Sequence, residues 1–152
     1  MRSILGAAID EQADVTLVDM EAGLEHLSRS GGTLAYADVL LVIMEPSRKS
    51  ILTAGRTIVL AEELGIPRVY GVGNKAQDGD KEFFEEVCAE YNVPLAGIVP
   101  ADVDVVEADR RGELLAPGAG QPVRDAVTRI VDFVDPALVG VAGPSCPAEP
   151  PG

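Results

Sequence analysis

Six consecutive apolar residues, Val39-Leu40-Leu41-Val42-Ile43-Met44, constrain the fold of this chain more than any other stretch. An unbroken apolar run bounded by turn residues marks a strand covered on both faces. Glu45-Pro46-Ser47 supplies the turn, and Ser47 or Ser50 is placed to cap a helix running to about Leu64, with Gly65-Ile66-Pro67 as its stop. The alternation continues: a strand over 68–73, a helix over 80–91, a strand over 93–99 and a short helix over 103–110. The last helix spans 122–134, with Pro122 in its first turn where no donor is lost. Upstream, Ile4, Leu5, Ala8 and Ile9 have helical spacing, 15–19 reads as the first strand, and 21–30 as a short helix or switch segment. Strands alternating with helices require right-handed crossovers, hence an α/β domain with a mostly parallel sheet. That domain is expected over 1–135, and 136–152, rich in Pro, Gly and Ala, is expected to be a disordered tail.

The 152 residues suit one domain with a single core. A net charge of −13, from 25 acidic against 12 basic residues, argues against nonspecific nucleic-acid binding or docking on an anionic membrane. No apolar run of membrane-spanning length and no secretory pattern occurs. Cys88 and Cys146 make neither a disulfide framework nor a four-ligand metal site. A cytoplasmic location is therefore expected.

Parallel α/β sheets bind ligands outside the carboxyl ends of their strands. The expected ends are Asp19, Glu45-Pro46, Asn74-Lys75 and Pro100-Ala101-Asp102, all polar or turn-forming. An aspartate closing the strand Val15-Thr16-Leu17-Val18, followed by Met20-Glu21-Ala22-Gly23, suits a carboxylate facing a Mg²⁺ shell with a nucleotide switch behind it. It equally suits a helix cap. Asn74 carries a carboxamide able to pair with N6 and N7 of adenine, or is a plain turn residue. A GTPase Asn-Lys-x-Asp would need Asp where Gln77 stands, although Asp78 is adjacent. His26, the only histidine, reads as a helix-surface or satisfied core residue, Cys88 as a small buried hydrophobe, and Arg48, Lys49 and Arg56 as a solvated helix face.

Taken in order, Asp19-Met20-Glu21-Ala22-Gly23-Leu24-Glu25-His26-Leu27, Ala37-Asp38-Val39-Leu40-Leu41-Val42, Glu45-Pro46-Ser47, Asn74-Lys75 and Ile98-Val99-Pro100-Ala101-Asp102 resemble the MinD/ParA-like P-loop ATPases. Within them the chain looks most like the accessory ATPases that insert nickel into carbon monoxide dehydrogenase. The resemblance runs from about Leu5 to Leu115 and covers only the C-terminal half of such an ATPase. It implies a three-layer P-loop-type sheet lacking the Walker A βα unit, since no Gly-x-x-x-x-Gly-Lys-Ser/Thr occurs. It implies ATP and Mg²⁺ as the complete protein's ligands, and a homodimer serving carbon monoxide dehydrogenase or a related metalloenzyme. By this likeness Asp19 reaches Mg²⁺ through water, Glu21, Ala22 and Gly23 form the second switch, Asn74 with Lys75 reads adenine, and Pro100, Ala101 and Asp102 close over base and ribose. Without the phosphate loop, the first-switch aspartate or the family's Cys-x-Cys pair, the chain is expected to be inactive alone. The alternatives are a catalytically inactive interaction module that keeps the sheet, and a flavodoxin-like binding domain in which Asp19 and Asn74 are turn residues.

Overall fold

The computed structural model describes residues 15–20 and 37–139. Three strands, β1 (Leu40–Met44), β2 (Val69–Ala76) and β3 (Leu95–Pro100), form a parallel sheet in the order β1-β2-β3. Helix α1 (Arg48–Glu63) links β1 to β2, and α2 (Asp80–Glu90) links β2 to β3. Helices α3 (Val103–Arg111) and α4 (Gln121–Val139) follow. The architecture is α/β and parallel, as the sequence pattern predicts.

Local chemistry sets the ends of these elements. Both candidate serines act at the start of α1: Ser47 Oγ accepts from the Ser50 N–H at 3.2 Å, and Ser50 Oγ accepts from the Glu45 N–H at 2.9 Å. Two donors at the β1–α1 turn are thereby satisfied. The helix stops where Gly65 turns left-handed, at φ 73°. Asp102 caps α3, its Oδ1 accepting from the N–H groups of Asp104 at 2.9 Å and Val105 at 3.3 Å.

The register places Val42 opposite Gly71 and Met44 opposite Gly73. Those glycines open the sheet face on which Val42, Met44, Ala54, Ile58, Phe84, Val87 and Cys88 form the main core. A side chain at Gly71 would meet Cys88 Sγ at 2.5 Å, and one at Gly73 would meet the Phe84 ring at 2.7 Å. Cys88 is thus a packed hydrophobe, and burial pushes its thiol pKa up. On the other face Ile130 and Val134 of α4 pack with Val72 and Ala96, and Ile130 sits over Gly97.

Three expectations change. Residues 15–19 form no strand: Val15, Leu17 and Val18 are 61%, 90% and 45% exposed. An apolar segment becomes a strand only beside another, and among the described residues none lies next to it. Strand β2 runs on to Ala76 instead of ending at Gly73, because β3 continues to pair with it there. Helix α4 continues through Pro136 to Val139, beyond the expected stop at 134. A proline removes one helical bond and strains its junction, yet Ala137 and Leu138 are good helix formers and carry the pattern onward. The helices expected near 3–13 and 21–30 lie outside the described residues.

Candidate functional site

The carboxyl ends of the strands bring together Glu45, Asn74-Lys75 and Pro100-Ala101-Asp102. Between the pairs Gly73↔Ile98 and Ala76↔Pro100, β2 advances three residues while β3 advances two, so the extra residue bulges at Asn74-Lys75. Lys75 takes a left-handed φ of 55°, a conformation that costs a non-glycine residue on the order of 1 kcal/mol. Asn74 Oδ1 accepts from the Lys75 N–H at 3.0 Å and holds this turn. Beyond the bulge the Ala101 N–H donates to the Ala76 carbonyl at 2.8 Å, fastening the β3 loop alongside the asparagine. Asn74 is half-buried and Ala101 is exposed. Asp102 Oδ1 is engaged in capping α3.

An ion pair closes the other side. Lys75 Nζ lies 2.5 Å from Glu45 Oε1, and this hydrogen bond and opposite charge raise the lysine pKa above its ordinary value. Both side chains are about half exposed or more, so solvent screens the pair and its worth lies in position. It fastens the end of β1 to the bulge of β2. Sequence reasoning missed Glu45 as a partner of Lys75, and the one available signal was that both lie at the carboxyl ends of apolar runs. It also missed Asp104 and Arg124. Asp104 Oδ2 accepts from the buried Gly120 N–H at 3.2 Å, and Arg124 donates to the carbonyls of Leu115, Ala116 and Ala119. Together they fix the loop between α3 and α4, and nothing local in the sequence announces either bond.

Asp19 is not brought to this edge. Its neighbour Met20 packs against the cluster of Ala61 and Ile66, which Leu40 and Val69 at the amino ends of β1 and β2 also join. The five steps from Val69 to Asn74 span about 16 Å of strand, so Asp19, next to Met20, lies toward the end of the sheet away from Asn74. Glu21, Gly23 and His26 lie outside the described residues. The described residues contain no group of three or more His, Cys, Asp or Glu side chains able to hold a metal ion. One carboxylate is too few donors to fix Mg²⁺ by itself, and the residues expected to stand with Asp19 are outside that described set. Arg48, Lys49 and Arg56 are exposed, as a solvated helix face requires.

No family model matches the chain. An uncharacterized ATP-binding protein of Methanocaldococcus jannaschii is 34% identical over 114 residues, which are 74% of this chain and 44% of that protein. The carbon monoxide dehydrogenase accessory protein CooC of Rhodospirillum rubrum is 33% identical over 113 residues, 74% of this chain and 41% of its own length. Among solved structures, the MinD cell division protein of Aquifex aeolicus superposes with a TM-score of 0.68 at 23% identity, over 94% of this chain and 60% of that one. The chain belongs to the MinD/ParA-like P-loop ATPases and represents the C-terminal portion of their fold. Within that family it resembles CooC, and it spans less than half the length of the curated relatives it matches.

Proposed function

We propose that this chain carries the base-reading side of the ATP site of a CooC-like accessory ATPase. The single observation behind this reading is the fastening of the Asn74 bulge to the Pro100–Asp102 loop through the Ala101–Ala76 hydrogen bond. That arrangement holds one side-chain carboxamide beside the backbone of the Pro100–Asp102 loop, and a carboxamide can pair with N6 and N7 of adenine. Relatives described as ATP-binding support the nucleotide. The likeness to the accessory protein supports service to carbon monoxide dehydrogenase or a related metalloenzyme, with nickel as cargo rather than resident cofactor. In the complete protein, phosphoryl transfer to water would need Mg²⁺ and a phosphate loop to neutralise charge. Asp19, Glu21 and Gly23 are proposed for the magnesium and switch side there, in a cytoplasmic homodimer.

Saturation-transfer NMR with ATP and GTP tests the base assignment on the chain itself. Adenine ring protons should receive saturation more strongly than ribose protons, guanine should receive little, and Asn74→Ala should abolish the difference. Equal signals from ATP and GTP, or an Asn74→Ala variant that behaves as the parent does, would make Asn74 a turn residue only.

A further inference from the structure

Glu45 follows β1 with its backbone fixed on both sides. Its N–H donates to Ser50 Oγ at 2.9 Å, and its carbonyl accepts from the Ser47 N–H at 2.7 Å. Pro46 comes next, and a residue before proline is biased to extended backbone. The carboxylate therefore reaches Lys75 Nζ, 2.5 Å away, from a rigid base. Lys75 in turn closes the bulge of β2. Its φ of 55° is a conformation that a lysine keeps only where the surroundings impose it. Two contacts do so here: the Asn74 Oδ1 bond to its N–H and the Glu45 pair on its side chain.

Both halves of the candidate site hang on that one residue. Upstream, the peptide between residues 74 and 75 carries the N–H that orients the Asn74 carboxamide. Downstream, the turn at Lys75 puts Ala76 opposite Pro100, where the Ala76 carbonyl receives the Ala101 N–H at 2.8 Å. An extended or right-handed residue 75 would turn the carboxamide and slip the Ala76 pairing together. We propose that Glu45 is a positioning residue for base selection: by holding Lys75 in its left-handed turn, it keeps the Asn74 carboxamide and the Pro100–Asp102 loop set for one base. This role rests on the base reading proposed for Asn74 and adds to it a residue that acts only through another. Among the groups that raise the Lys75 pKa, Glu45 comes first, by hydrogen bond and by charge, and Asp109 of α3 follows by charge alone. A Lys75 released by Glu45 thus has a carboxylate on α3 to turn to, away from β1.

Saturation-transfer NMR of the full chain with ATP and GTP reads base selection. The intraresidue Hα–HN cross-peak of residue 75, strong when φ is positive, reads the turn without any nucleotide. Glu45→Gln keeps the size of the side chain and removes its charge; both partners are about half exposed or more, so the core is untouched. It should weaken the cross-peak and lower the ATP-over-GTP ratio by about two- to fivefold, the factor an exposed ion pair controls. Adding Lys75→Gly to Glu45→Gln should restore the ratio, because glycine adopts positive φ without the pair. Asp109→Asn should leave both readings at the parent values, since it removes a nearby charge but not the fastening. A ratio that falls while the cross-peak stays strong overturns the role, as does an equal fall in Asp109→Asn, which would be a general effect of charge. A double variant no better than Glu45→Gln also overturns it, by putting the Lys75 side chain itself against the base. Equal ATP and GTP signals from the unsubstituted chain overturn the base reading and this role with it, whereas a parent preference that survives Glu45→Gln overturns the role of Glu45 alone.

Discussion

Replacing Gly73 by alanine should destabilise the protein through one contact, and the structure says how much. A Cβ there would lie 2.7, 2.9 and 3.0 Å from Cδ2, Cε2 and Cγ of Phe84. Carbon pairs are comfortable at about 3.5–4.0 Å, so the ring must retreat by about 1 Å. It has nowhere to go: Phe84 is fully buried and shares its core with Met44, Ile58 and Val87. Overpacking of this kind costs about 1–3 kcal/mol. Gly73 is not among the glycines with positive φ, so alanine adds no backbone strain and recovers about 0.4–1 kcal/mol of unfolded-state entropy. The net loss should be about 1–2 kcal/mol. With a urea slope of about 1.5 kcal/mol per molar, the midpoint should fall by about 1 M at unchanged slope.

A double-mutant cycle isolates the contact. Phe84→Leu leaves a cavity and destabilises by itself, but it removes the atoms that the new Cβ would strike. In that background Gly73→Ala should cost less than about 0.5 kcal/mol, a coupling of at least 1 kcal/mol. Additive costs would refute the reasoning, because they would place the penalty in the backbone of β2 rather than against the ring.

Three further outcomes are expected. Asp102→Ala should lower stability by about 1 kcal/mol through loss of the α3 cap, measured by urea unfolding, and Asp102→Asn should recover most of it. In a Cys146→Ser background Cys88 should resist iodoacetamide at pH 8 until urea is added; its raised pKa keeps stability intact below the ordinary value of 9.0 and lets it erode as pH climbs beyond that, whereas rapid native alkylation would show the site to be open. Calorimetry with ATP and Mg²⁺ should show weak binding by the 152-residue chain and no steady turnover, because the phosphate loop that supplies most N–H donors and the lysine is absent from its sequence.

What could be read from the sequence followed from how far each interaction reaches along the chain. The apolar run at 39–44 and the serine caps are local, and β1 and α1 appear within a residue or two of where the pattern puts them. The burial of Cys88 follows from helical spacing and is equally local. The bulge at Asn74-Lys75 is different in kind. Gly73 invites a strand to end, and only β3, some twenty residues on, holds β2 in register as far as Ala76. The Glu45–Lys75 pair spans α1 and the whole of β2, so no window of sequence contains it. Residues 15–19 show the converse. Val15 to Val18 carry the pattern of a buried strand as clearly as β1 does, yet strand formation is a property of a pair, and the described residues supply no neighbour. The same deficit leaves β1, apolar throughout, paired on one side only among the described residues.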